Sequence, residues 1–338
     1  MRNVRDWLYE PLSAERFGWM VLSILILLGV LLFLVTYAIY VQRKLLGWMQ
    51  SRVGPNRVGP YGLLQTIADV LKLLTKESFV PTHADRPLYL LAPIVAFAPA
   101  FVVFAVIPLT DRIAFTDIGI GLLFYIGVAS LSTLGVIMGG WASNNKWSLI
   151  GAMRAAAMMI SYEIPLVLAA LGVVMLAGSI NLVDIVEAQR GVWNVVPQFV
   201  GFVIFLIAAL AELNRTPFDL TEAESELIAG YQVEYSGFRF AIFMLGEYVY
   251  LFAMGALIAI LYFGGWLPPH PALDFIPGIV WLVVKTLFFA YLPFWLQATF
   301  PRVRIDQLMT FSWKVLMPLA LVNIAFTSLV KTIAGGVS

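Results

Sequence analysis

Hydrophobic residues fill this chain in long stretches, and charged residues punctuate them. From Phe17 to Gln42 no residue carries a charge, and Arg43 with Lys44 closes the run. Comparable stretches extend from about Pro87 to Leu109, Ile118 to Trp141, Ala155 to Leu176, Val195 to Leu213, Phe240 to Phe263, Pro277 to Gln297 and Met309 to Val330. Each is close to or above the roughly 20 residues a helix needs to cross a bilayer, and none shows the two-residue alternation of a barrel strand. The pattern predicts an all-α integral membrane protein with eight transmembrane helices. Pro93 and Pro99 predict a kinked second span whose freed carbonyls need helical neighbours. The segment from Gly59 to Glu77 reads differently. Leu63, Leu64, Ile67, Val70, Leu71 and Leu74 recur at helical spacing while Gln65, Asp69, Lys72 and Lys76 take the other side. That predicts an amphipathic helix lying in the interface.

Composition agrees with this reading and removes several functions. Of 338 residues, 61% are hydrophobic and 12% charged, against about 25% charged in soluble domains. No linker divides the chain, so residues 1–338 read as one polytopic domain. A net charge of +1 and the lack of a basic patch with interleaved aromatics exclude nucleic acid as a partner. With no cysteine, the chain holds no thiolate-ligated iron–sulfur cluster, Cys-type zinc site or disulfide. His83 and His270 fall in loops assigned to opposite sides of the membrane, which rules out a shared metal or haem. Neither a P-loop nor a Gly-x-Gly-x-x-Gly fingerprint occurs. Redox chemistry involving this chain therefore uses no tightly held centre of its own, and no metal site is expected. Arg2 and Arg5 precede an apolar run too long for a signal peptide, so the first helix reads as retained.

Of the 21 Lys and Arg, fourteen fall in or beside the loops after spans one, three, five and seven, six fall on the opposite face, and Lys285 lies within span seven. The positive-inside rule then places both termini outside, periplasmic in a bacterial inner membrane, and the acidic loop over about 212–238 inside. That loop packs Glu212, Asp219, Glu222, Glu224, Glu226 and Glu234 around a single cation, Arg215. Alone, such a block reads as a solvated loop face. Glu163 and Glu247, however, interrupt apolar spans. They lie nine residues past Arg154 and eight past Arg239, roughly 12–14 Å below the surface and near the middle of a hydrocarbon core of about 30 Å. An ionisable group there costs about 3 kcal/mol even on gentle scales and needs a reason. Lys285 can pair with one of them and lock helices together, but one lysine does not neutralise Glu163, Glu247 and Glu212. Like charges in a low dielectric favour protonation, which is what a proton relay requires. Thr221-x-x-Glu224 has capping-box spacing, which makes Glu224 a helix cap in the alternative reading, with Glu222 and Glu226 sharing a face.

Six segments in order carry a resemblance over almost the whole chain. They are Gly54-Pro-Asn-Arg-Val-Gly-Pro60, Gly140-Trp-Ala-Ser-Asn-Asn145, Ser161-Tyr-Glu-Ile164, Arg215-Thr-Pro-Phe-Asp-Leu220, Glu222-Ala-Glu-Ser-Glu-Leu227 and Pro301-Arg-Val-Arg-Ile-Asp-Gln-Leu308. Together they resemble the H subunit of respiratory complex I, the NADH–quinone oxidoreductase. The resemblance implies a membrane subunit that joins the hydrophilic redox arm to the proton-pumping arm. Its partners would be iron–sulfur subunits at the quinone site and small and antiporter-like membrane subunits. Ubiquinone or menaquinone would be its substrate, with no cofactor held tightly. Carried over by motif, the proton path would use Glu163, Glu212, Asp219, Glu222, Glu224, Glu226 and Glu247. The interface helix and the Gly54 to Pro60 loop would frame the quinone entrance, with Arg43 and Arg52 near the headgroup route. Three positions depart from the family pattern: Gln42 stands where an acid is usual, Gln297 where an arginine is usual, and Met158 where a glutamine is usual. The related subunit of membrane-bound hydrogenases shares the scaffold, and a stand-alone proton-coupled transporter would also use buried acids. Co-purification with iron–sulfur partners separates the transporter from the other two.

Overall fold

The structure, a computed structural model, describes residues 14–111, 113–219 and 229–335, and every regular element among them is helical. The long helices are α1 (Ala14–Met49), α3 (Arg86–Val102), α4 (Gly121–Ala142), α5 (Lys146–Ala177), α8 (Gly237–Tyr262), α9 (Gly278–Thr299) and α11 (Met317–Gly335). Shorter ones are α2 (Gln65–Thr75), α6 (Leu182–Glu187), α7 (Phe199–Glu212) and α10 (Ile305–Phe311). Seven stretches are long and apolar enough to cross a membrane, α10 and α11 counting as one.

Several boundaries differ from those read off the charges, for physical reasons. Arg43 and Lys44 do not end the first helix, which runs on to Met49. Lys44 Nζ instead donates to the Val53 carbonyl at 3.3 Å, so the helix leaves the apolar zone with its cations satisfied locally. Nor does Arg154 delay the fourth span: α5 starts at Lys146, where Asn145 caps it by accepting Trp147 N–H at 2.9 Å. The predicted span over Val195 to Leu213 is realised as the 14-residue α7, about 21 Å long. Pro197, which has no N–H, stands just before it, and turns rather than helix fill Trp193 to Gln198. The last span begins earlier than Met309, as α10 followed by a π-helical turn over Ser312–Leu316 just ahead of Pro318.

Helix α8 is the axis. Every residue from Tyr248 to Tyr262 is buried, which marks a helix enclosed by protein on all sides. Close approach of backbones surrounds it with neighbours: a Cβ on Gly255 would stand 2.8 Å from the Thr286 carbonyl of α9. One end of the bundle collects the last turns of α1, α4, α7 and α9 and the first turns of α3, α5 and α8. It is tied together by Asp85 N–H to Ala142 O at 3.0 Å and Val303 N–H to Pro217 O at 3.2 Å. The acids lie toward this end.

The segment predicted to lie in the interface contains the helix α2, preceded by a single 3-10 turn over Pro60–Gly62. Ile67, Val70, Leu71 and Leu74 on it are exposed. Gly62 has φ of +82°, and a Cβ there would collide with the Pro55 carbonyl, so the turn needs glycine.

Lys285 corrects an expectation. It does not meet Glu163 or Glu247. Its ammonium donates to the carbonyls of Phe263 at 2.7 Å, Gly265 at 2.9 Å and Leu267 at 2.6 Å and lies 4.4 Å from the Trp193 ring. It caps the C-terminal end of α8, where unpaired carbonyls and the negative pole of the helix dipole favour a cation.

Candidate functional site: a cavity between buried carboxylates

The site is assembled from the end of α7. Leu213 is the last helical cap and Asn214 takes a left-handed conformation with φ of +50°. Asn214 N–H then bonds to Ala211 O at 3.1 Å and Arg215 N–H to Leu210 O at 3.4 Å, the pairing of a Schellman turn. This reversal brings Arg215 back against α8. Its guanidinium carbon stands 4.5 Å from the Tyr248 ring and 6.0 Å from that of Phe294, and one of its terminal nitrogens lies 3.9 Å from Glu247 Oε2. The other Glu247 oxygen, Oε1, accepts the Tyr231 hydroxyl at 3.0 Å and Gln232 Nε2 at 3.4 Å. Gln232 Nε2 also donates to the Tyr231 hydroxyl at 2.8 Å, which fixes that oxygen as donor toward the carboxylate.

Glu212 approaches from the opposite wall. It is buried, its Oε1 accepts the Tyr250 hydroxyl at 2.7 Å, and its Oε2 has no partner among the described residues. Tyr250 lies one turn along α8 from Glu247 and stacks on Tyr125 at 6.5 Å. Glu212, Asn214, Tyr231, Glu247 and Tyr250 all line one cavity of about 50 Å³, completed by Leu213 and uncharged residues of α3, α4, α5 and α8. That volume holds more than one water molecule. Glu163 extends the acidic line. It accepts a hydrogen bond from Ser130 of α4, and its charge acts on Glu212. At the other side the charge of Asp219 acts on Glu247, and Asp219 Oδ2 pairs with Arg302 at 3.0 Å. The described carboxylates thus form the series Asp219, Glu247, Glu212, Glu163, drawn from a loop, α8, α7 and α5. Glu222, Glu224 and Glu226 lie outside the described residues.

The second group of predicted residues gathers on α1 and its neighbours. Gln42 Nε2 donates to Gln297 Oε1 of α9 at 2.9 Å, and Gln42 Oε1 accepts the Tyr248 hydroxyl. Arg43 pairs with Asp69 of α2, and Tyr40 donates to Tyr61 O at 2.9 Å, so α1 holds the interface segment along its length. Burial acts to raise the Asp69 carboxyl. The hydrogen bonds from Arg43 and Gln65 and the charges of Arg43 and Lys72 outweigh it and hold the group below the usual carboxylate range. Arg52 is exposed on the loop, while the loop itself folds back until Gly54 meets the Arg43 carbonyl. Met158 is fully buried in the core.

Reading by charge overlooks the neutral half of this site. Tyr231, Gln232, Tyr248, Tyr250 and Ser130 bear no charge, yet each hydrogen-bonds an acid or the Gln42 amide. Tyr250 stands one helical turn from Glu247 in sequence, which is the one signal that singles it out.

Comparison with known proteins places this arrangement. The family model for NADH dehydrogenase matches residues 22–328. The chain is 65% identical to the H subunit of NADH-quinone oxidoreductase from Brevibacillus brevis over 318 residues, covering 94% of this chain and 95% of that one. It is 64% identical to the protein of the same name from Geobacillus kaustophilus over 309 residues, covering 90% and 92%. With that of Geobacillus thermodenitrificans it shares 61% over 324 residues, covering 94% and 97%. These matches run along nearly the full length of both partners, and the chain belongs to the NADH dehydrogenase family as a membrane subunit of the H type of NADH-quinone oxidoreductase.

Proposed function

We propose that this subunit lines the chamber in which a membrane quinone, ubiquinone or menaquinone, is reduced, and that its buried acids couple that reduction to proton translocation. The observation that carries the reading is the cavity lined by both Glu247 and Glu212. Electrons would arrive from an iron–sulfur centre of a partner in the hydrophilic arm, since a chain without cysteine has no thiolate ligands of its own. Reduction of a quinone consumes protons close to Arg43 and Gln42. Asp219 with the loop acids Glu222, Glu224 and Glu226 would pass the change in charge to Glu247, then across the cavity to Glu212 and Glu163, and on to antiporter-like membrane partners. Glu163, Glu247 and Glu212 each accept from a hydroxyl, a group able to serve either protonation state of a carboxyl, and Asp219 pairs with Arg302.

The same reading sets the topology. Helix α7 crosses with the turns over Trp193 to Gln198 completing its span, which gives eight crossings with both termini periplasmic. Helix α2 lies on the cytoplasmic surface with Ile67, Val70, Leu71 and Leu74 against lipid or a partner. Glu247→Gln tests the mechanism, because the amide keeps shape and hydrogen bonding but does not ionise. The assembled complex is expected to lose most proton-coupled quinone reductase activity. Full activity with full pumping in an assembled variant refutes the role.

A further inference from the structure

Gln42 is held from two sides by different helices. Its nitrogen donates to Gln297 of α9 at 2.9 Å and its oxygen accepts the hydroxyl of Tyr248 of α8. In this arrangement the Gln42 oxygen is the acceptor toward Tyr248. That hydroxyl bond anchors the edge of a ring whose face carries Arg215 at 4.5 Å. Arg215 in turn stands 3.9 Å from the nearer Glu247 oxygen, longer than the roughly 2.7–2.9 Å of a tight charge-assisted bond. The interaction is therefore one of position, and it varies with where the ring holds the guanidinium. Screening is weak there, since the two side chains are only 11% and 18% exposed.

We propose that Gln42 and Gln297 are positioning residues for Glu247: through the Tyr248 ring they fix how far Arg215 stands from the carboxylate, and thereby tune the pH at which Glu247 handles a proton. The proposal rests on the reading of Glu247 as a proton carrier. The other titratable groups facing Glu247 are Asp219 from the loop, Tyr231 from the turn before α8, and Glu212 and Tyr250 across the cavity; the cavity faces of α3, α4 and α5 are uncharged. None of these groups is altered by a change at Gln42.

The test uses the whole complex carrying Gln42→Leu, Tyr248→Phe or both, with quinone reductase rate measured across pH and Arg215 located by electron cryomicroscopy. Each single substitution is expected to displace the pH–rate profile in the same direction by roughly 0.5 unit, the double substitution no further, and Arg215 is expected to leave its place over the ring. A uniformly lower rate with an unmoved profile, or two displacements that add, overturns the proposal. So does an Arg215 that stays in place in Gln42→Leu. If Gln42→Leu does not assemble, Tyr248→Phe, which keeps the ring, decides alone: a displaced profile supports the link and an unmoved one rejects it. Failure of the underlying reading looks different. In that case Arg215 moves in Gln42→Leu, yet Glu247→Gln pumps at the full rate.

Discussion

Gln42, two turns before the end of α1, and Gln297, in the last turn of α9, face each other as neutral amides 2.9 Å apart. The family resemblance implies an acid at the first position and an arginine at the second, and this contact brings the two departures together. Gln42 is only 8% exposed, and a single charge set against it lacks a counter-ion and costs several kcal/mol. Gln297→Arg alone is therefore expected to reduce assembly or quinone reduction more than Gln42→Glu combined with Gln297→Arg, in which a carboxylate still accepts from Tyr248. A double-mutant cycle on activity should give a coupling of about 1–3 kcal/mol. Independent effects would show that the two positions are not partners.

Lys285 makes a contrasting prediction. Its three carbonyl contacts lie at the far end of α8 from the carboxylates, so its work is structural. Lys285→Met keeps the stem but leaves those carbonyls without their donor, at a cost on the order of 3 kcal/mol. The complex is expected to show a lower Tm while the protons pumped per electron pair stay unchanged. A changed ratio at normal Tm would place Lys285 in the transport path instead.

The hydroxyl of Tyr250 is a hydrogen-bond donor to Glu212, which lines the cavity and whose second oxygen has no partner among the described residues. Tyr250→Phe removes that donor without changing the ring, leaving a buried carboxyl less satisfied by about 1–3 kcal/mol. Assembly is expected to survive, with proton pumping reduced severalfold while electron transfer to artificial acceptors upstream of the quinone stays normal. Equal loss of both would mean that the ring pair of Tyr125 and Tyr250 is a packing element first.

How much of this was legible in the sequence depends on what each residue contributes. Seven of the spans could be read because an apolar run is long or short by the same rule that a bilayer imposes. Charges do not mark where helices stop: α1 passes Arg43 and α5 begins before Arg154, since helix hydrogen bonding continues past a charged side chain. The acids were conspicuous because a carboxylate in an apolar run is costly. Tyr231, Gln232 and Tyr250 were not, because a tyrosine in a membrane helix looks the same whether it packs or donates. Lys285 is legible as a costly charge within span seven, but its partners are not: seven residues past the start of α9 it reaches the carbonyls after α8, a geometry no spacing rule in a single helix discloses.

Helix α7 bears on topology. It has 14 residues, against about 20 for a full crossing. If it crosses, a cysteine placed at Ser225 faces the cytoplasm and one at Ser179, between α5 and α7, faces the periplasm. A membrane-impermeant thiol reagent added to whole cells is then expected to label the second only, an experiment made simple by a chain with no cysteine of its own. Equal labelling of both from outside would remove one crossing from the count.

The pairing of Arg43 with Asp69 gives a prediction in pH. It joins the end of α1 to α2, with Gln65 Nε2 adding a second contact to Asp69 at 3.1 Å. The Asp69 carboxyl is held below its ordinary value, so folding stabilises the charged form. That contribution is fully present above the unfolded aspartate value of about 3.9 and is lost as pH falls through the lower value in the folded protein. Across neutral pH it is constant. A spin label at Thr75, on the exposed last turn of α2, is expected to be equally immobile at neutral and mildly acidic pH. It should become mobile only as pH falls below about 4. In Asp69→Asn, which keeps one acceptor but carries no charge, the label should be more mobile at neutral pH and insensitive to acid over the same range. A wild-type label that stays immobile through the acid range, or an Asn variant that still responds to it, would show that packing rather than this ion pair holds α2 against α1.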